Sequence, residues 1–296
     1  MKRFIAYNGL VFTISFLLIF VYGGSNTLVL AQTEVKPSIQ TTQMAEHFYK
    51  LDVHDIVSML VFNGPDGALL VDTGCEYVDL IEAELKKIKV EKIKFIINTH
   101  SHVDHVDGNA LLGKEAVIIS SNRCRASLLE KDDFSKPGLP KLTFSDSMSI
   151  HFNDEEINLY FMPGHSDNDI VVHFKKANIA CIGDFGFPQP NFTWPGYSAN
   201  VYDMEESLIW IANHFADDVN IIHGHETNYT LADLKLDAKM VTGAIKLVKP
   251  LIQQGFDLDQ IKECNPLKKS AFSIVRENSE KWIWNIVRDK KHSNKE

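Results

Sequence analysis

Between residues 98 and 109 the chain reads "NTHSHVDHVDGN", three histidines and two aspartates in twelve positions directly after the apolar run "IKFII". Neutral imidazole nitrogens and carboxylate oxygens are donors for divalent cations, at about 2.0–2.2 Å for zinc. His100, His102, Asp104 and His105 are spaced closely enough for a turning backbone to aim several of them at one point. They also follow a buried strand, and the crevice at strand ends is where an open α/β sheet gathers ligands. A blander reading is open: solvated loop histidines, or an N-cap cluster in which Asp107 or Asn109 starts a helix carrying Leu111 and Leu112. The H-x-H-x-D-H run favours metal, because imidazoles and carboxylates crowded together gain little as structure alone.

The elements around this run must hold it rigidly. "DIVSMLVF" and "GALLVDTG" read as strands joined by the turn formers of residues 63–67, and "VDLIEAELKKI" as an amphipathic helix leading to the strand "KFIINTH". "AVIIS", "EINLYFM", "DIVVHF", "NIACIGD" and "VNIIHGH" are further apolar runs of strand length. "DMEESLIWIANHF" reads as a helix, and residues 230–255 as a long helix broken or bent near Pro250. Residues ahead of the first strand read as a polar lead-in, and strands are expected to alternate with helices throughout. "GALLVDTG" and "NIACIGDFG" each run a buried strand into Asp, as two similar halves meeting face to face would. One α/β domain with helix-covered sheets follows.

The chain has 296 residues, 45% of them hydrophobic and 23% charged, which is enough to bury a full core. Residues 1–31 stand apart: Lys2 and Arg3, an apolar stretch, then Val29 and Ala31 before Gln32, the pattern of a cleaved signal peptide, with an uncleaved membrane anchor as the alternative. The expected organisation is therefore a signal peptide over 1–31 and a catalytic domain with a helical tail over 32–296, in a periplasmic or secreted protein. Removing Lys2 and Arg3 takes the formal charge from −9 to −11, which argues against nucleic acid as a partner. Cys75, Cys124, Cys181 and Cys264 lack C-x-x-C spacing and fit free thiols or one or two disulfides.

"THSHVDH" resembles the signature of the metallo-β-lactamase-fold superfamily, and its later motifs occur in order: "MPGHSDND" with His165, "CIGDFGF" with Asp184 and "IIHGHE" with His225. The resemblance covers roughly residues 47 to 230 and implies an αββα four-layer sandwich with the metals at one edge of the two sheets. It implies that His100, His102 and His165 hold a first metal, that Asp104, His105 and His225 hold a second, and that Asp184 bridges both. Asp72, in "VDTG", resembles the family's supporting aspartate. Spacing alone leaves His223 and His225 both open as ligands; the family's Gly-His pattern selects His225. Cys181, on a buried strand, reads as core packing, and His47, His54, His151, His173, His214 and His292 as ordinary histidines.

Such a pair of cations lowers the pKa of a shared water toward neutrality and polarises a carbonyl or phosphoryl centre, the chemistry of hydrolysis. Asp104 can ligate and also carry the proton to a leaving group. The expected cofactors are two zinc ions, with iron or manganese as alternatives, and the expected partner is a small-molecule ester, thioester, lactone or amide, with some β-lactamase activity as a further option. The membrane is expected as a partner only during export or through an uncleaved anchor. Asp184 stands where cysteine- or serine-type zinc β-lactamases differ. Hydroxyacylglutathione hydrolases are similar in their metal residues, but the 71 residues after His225 read as helices and a short tail without an evident glutathione-binding domain. The rival classes are a mononuclear-iron persulfide dioxygenase and a non-catalytic metal-binding protein. Residues 184–198, with three prolines and five aromatic residues, read either as a pocket wall or as a packed surface loop.

Overall fold

Alternation of apolar side chains decides the layering. In "GALLV", Leu69 and Val71 join one buried cluster while Ala68 and Leu70 join another; in "IACIG", Ile179 and Cys181 face one way and Ala180 and Ile182 the other. Strands buried on both faces need a cover on each side. The structure, a computed structural model, describes residues 37–289 apart from 55, 76, 187–199, 226 and 227. The proposed leader and His292 lie outside the described residues, as does most of the proline-rich segment.

Two sheets form among the described residues. The first runs β1 (Ile39–Ala45), β2 (Phe48–Val53), β3 (Val57–Gly64), β4 (Gly67–Val71), β5 (Ile93–Ile97), β6 (Val117–Ser121) and β7 (Leu142–Phe144), in that spatial order. Its first four strands are antiparallel neighbours, and β4 to β7 pair in parallel. The second contains β8 (Ser147–Phe152), β9 (Glu155–Phe161), β10 (Ile170–Phe174), β11 (Ile179–Gly183) and β12 (Asn220–His223), with β12 parallel to β11 at one edge. Phe48, Leu69, Val71, Ile97 and Ile119 from the first sheet meet Leu159, Val172, Phe174 and Cys181 from the second in a shared core.

Helices close the outer faces. α1 (Val78–Lys87), α2 (Val103–Val106), α3 (Asn109–Leu112) and α4 (Asn122–Leu129) belong to the first half, and Ile81, Leu85 and Leu112 from them pack the outer face of the first sheet. α5 (Val201–His214), α6 (Leu231–Gln253), α7 (Leu258–Cys264), α8 (Ser273–Glu277) and α9 (Ser279–Asp289) follow. Leu208, Ile211, Leu234, Val241, Trp282 and Ile286 pack them against the second sheet. The layers are therefore αββα, as expected. None of these helices is long and apolar enough to cross a membrane.

Several expectations need correction. The polar lead-in is two strands, and helices do not alternate with strands throughout, since β1 to β4 and β7 to β11 follow one another without an intervening α-helix. β2 escapes an apolar pattern because two of its inward positions hold an ion pair, Lys50 Nζ to Asp52 Oδ1 at 3.2 Å. α6 is not broken at Pro250: the proline lies three residues from the helix end, where it removes one i to i−4 hydrogen bond, and the helix runs on to Gln253. Trp282 is fully buried, whereas Trp284 is half exposed, with the Arg288 guanidinium 4.7 Å over its ring. None of the four cysteines, all among the described residues, is in a disulfide.

Candidate metal centre

Four strands deliver the polar residues to one end of the sandwich. β5 runs out into Asn98, Thr99 and His100; His102 stands at the N-cap of α2, which carries Asp104 and His105. His165 lies on the loop between β9 and β10, Asp184 follows β11, and His225 lies two residues past β12. Neither Asp107 nor Asn109 caps α3; Gly108 occupies that position.

These side chains converge. Metal-competent atoms of His100, His102, His165 and Asp184 lie within 4.8 Å of one another, and so do those of Asp104, His105 and His225. Asp184 touches both groups: Oδ2 is 3.3 Å from Nε2 of His165 and 2.9 Å from Nε2 of His225, while Oδ1 is 3.3 Å from Nε2 of His105. Nδ1 of His102 and Nε2 of His165 are 2.9 Å apart. Asp104 Oδ2 lies 3.4 Å from His225 and 3.6 Å from His105, with its side chain partly open to solvent.

The outer hydrogen bonds leave particular nitrogens aimed inward. His105 Nδ1 donates to Asp72 Oδ2 at 2.8 Å, and His225 Nδ1 donates to the Ile56 carbonyl, which leaves each Nε2 as the inward lone pair. Asp72 is itself held by the Thr99 N–H and hydroxyl, both at 2.7 Å, and that hydroxyl oxygen accepts from His100 Nδ1 at 3.1 Å. Nε2 of His100, Nε2 of His105 and Oδ1 of Asp184 are then buried without a hydrogen-bond partner among the described residues. Polar atoms orphaned in this way are costly unless something else satisfies them. Two imidazole lone pairs and a carboxylate oxygen facing one another are the donor set of a divalent cation, so the residues fit the implied metal.

Burial and neighbouring charge act in opposite directions on these histidines. Burial pushes His100 well below the ordinary histidine range and His165 to about 4, so both stay neutral and able to ligate. Burial also acts to lower His105, but the charges of Asp184 and then Asp72 outweigh it and hold that imidazole well above the usual value. Asp184 stays well below the usual carboxylate range despite burial, because His105, His165 and His100 surround it.

All seven expected ligands thus come together, and Asp72 lies behind His105. His223 is buried behind the site, where its Nδ1 accepts the His225 amide at 2.9 Å. Cys181 packs in the core. Phe185, at the start of the proline-rich segment, is core-packed; the expectation of a pocket wall rests on residues outside those described. A polar support under His105 was not anticipated from sequence. Asn98 and Asn109 exchange amide hydrogen bonds at 3.0 and 2.9 Å, and Thr73 donates to Asn109 and to the His105 carbonyl. The signal for it is Asn98 and Thr99, polar residues placed straight after a buried strand.

A model of the Metallo-beta-lactamase superfamily matches residues 51–225. A hydroxyacylglutathione hydrolase of Prochlorococcus marinus (strain NATL1A) is 27% identical over 220 residues, covering 68% of this chain and 81% of that one. An N-acyl homoserine lactonase of Bacillus cereus is 22% identical over 191 residues, covering 63% and 65%. Among solved structures, a metallo-beta-lactamase from Pontibacter korlensis superposes with a TM-score of 0.59 at 16% identity, over 69% of this chain and 99% of that one. At that identity the likeness concerns the fold.

Proposed function

The chain belongs to the metallo-beta-lactamase superfamily and is a hydrolase of it, and on this premise we propose that it is an exported enzyme using two zinc ions to hydrolyse a small ester, thioester or lactone. The observation that carries the reading is the placing of Asp184, whose carboxylate touches both ligand groups, Oδ2 lying against His165 and His225 and Oδ1 against His105. A carboxylate has an oxygen for each of two cations about 3.5–4 Å apart. The hydroxyacylglutathione hydrolase and lactonase relatives support a thioester or lactone ahead of an amide.

His100, His102 and His165 would hold one cation, Asp104, His105 and His225 the other, with Asp184 between them. Bound there, the cations supply Lewis acidity toward a carbonyl oxygen and lower the pKa of a water. The chain's own residues do the rest. Asp72 and the Ile56 carbonyl fix the tautomers of His105 and His225, and Asp104, partly exposed at the mouth, has an oxygen free to carry a proton to the leaving group.

Metal analysis of purified protein, followed by a panel of thioesters, lactones, esters and β-lactams, tests this. Two equivalents of zinc with turnover of one class supports it; well below two, with no gain on reconstitution, overturns it. Oxygen consumption with a persulfide substrate would favour the mononuclear-iron alternative. Export is supported by Lys2, Arg3 and the apolar stretch after them, and cell fractionation with N-terminal sequencing tests it: recovery of the intact chain in the cytoplasm would refute it.

A further inference from the structure

Ser101 lies between two of these histidines, and the peptide groups on either side of it are held from elsewhere in the fold. Its N–H donates to Oδ1 of Asn168 at 2.9 Å, and its carbonyl accepts from Nζ of Lys131 at 2.6 Å. Asn168 is fully buried and sits three residues beyond His165 on the same loop. Its carbonyl accepts from the Ser121 hydroxyl at 2.7 Å, and that hydroxyl oxygen also caps α4 by accepting from the Cys124 N–H at 3.0 Å. Lys131 stands two residues past the other end of α4, so both ends of one helix lead to the same dipeptide.

Peptide planes are stiff, so fixing the plane before and the plane after Ser101 fixes the directions in which His100 and His102 project. An unpaired buried N–H would instead turn in search of a partner and carry His100 with it. The other half of the centre does not use this hold. His105 rests on Asp72 and on the Thr73, Asn98 and Asn109 network, and His225 on the Ile56 carbonyl. Thr99 is common to both halves, through His100 on one side and Asp72 on the other, but the hold on Ser101 reaches only the first.

We propose that Asn168 and Lys131 are positioning residues that pin the segment His100, Ser101, His102 to the His165 loop, setting cation affinity in that half of the centre and not in the half formed by Asp104, His105 and His225. The inference rests on the metal reading above.

The test is a cobalt(II) titration of chelator-stripped protein followed by visible absorption. His165→Ala and His225→Ala identify which spectral phase belongs to which half; if neither changes the titration, the metal reading itself fails. With the phases assigned, Asn168→Leu, which keeps the side-chain shape but removes the acceptor, should weaken the His165-dependent phase about tenfold or more and leave the His225-dependent phase alone. Asn168→Asp, which retains an oxygen for the Ser101 N–H, should bring that phase back toward the parent value. Lys131→Met removes the ammonium donor to the Ser101 carbonyl at an exposed position and should act in the same direction as Asn168→Leu. If circular dichroism shows that Asn168→Leu does not fold, Lys131→Met decides alone. An unchanged His165-dependent phase, or equal weakening of both phases, overturns the proposal.

Discussion

Asp184 holds its negative charge in a buried place only because imidazoles surround it, and that makes it the residue whose replacement says most. Asp184→Asn should fold, since the residue follows β11 and packs none of the core, but an amide is a poor bridge. One metal should be lost or weakened and hydrolysis should fall by at least ~100-fold; two tightly held zincs at full rate would show that Asp184 is not the bridge. Asp72 acts one shell further out. Asp72→Asn must set an NH2 group either against the Thr99 N–H or against both the Thr99 hydroxyl and His105 Nδ1–H. It should lower metal affinity about 10–100-fold, by competition with a chromophoric chelator, with little change in circular dichroism. The ligands were readable in sequence because four fall within six positions and the rest sit in short motifs. Their supports were not: Asn168 meets Ser101 across 67 residues, and no local pattern announces such a pairing.

At the level of elements, the turn after β12 leaves no room for a side chain. A Cβ on Gly224 would lie 2.1 Å from Asp184 Oδ1 and 2.9 Å from His105 Cε1, so any other residue there pushes the carboxylate aside. Gly224→Ala should therefore cost metal binding before it costs the fold, seen as substoichiometric zinc in a protein of nearly parental urea midpoint; full stoichiometry would show that the turn can yield. β4, β5, β10 and β11 were legible because strands buried on both faces are almost continuously apolar. β1, β2 and β8 were not. β1 is a largely polar edge strand, β2 has its buried Lys50–Asp52 pair, and β8 alternates Met148, Ile150 and Phe152 with polar residues over six positions.

Over the whole molecule, histidines set the response to acid. Burial lowers His165, His173 and His223 to about 4, and lowers His100, His102 and His214 as well, whereas His105 and His225 are raised. A lowered group stays neutral in the folded chain yet takes a proton near 6.5 when unfolded, so its effect is a loss of stability as pH falls below about 6.5, extending to about 4 for His165, His173 and His223. The two raised groups act oppositely, favouring the fold below 6.5, but they are the minority. The urea midpoint of chelator-treated protein should thus be lower at pH 4.5 than at pH 7; an equal or higher midpoint would contradict the balance. The layered architecture followed from apolar alternation, while the pairing of the two sheets was legible only as the echo between the strand leading to Asp72 and the strand leading to Asp184. Those two aspartates reach the centre from opposite sheets, and so do His105 and His225. A cation gripped there would rivet one sheet to the other at the open end of their shared core. Free zinc at a hundredfold its dissociation constant would add about 2.7 kcal/mol to the folded state, so resistance to heat and protease would report whether the enzyme carries its metal, before any substrate for it is known.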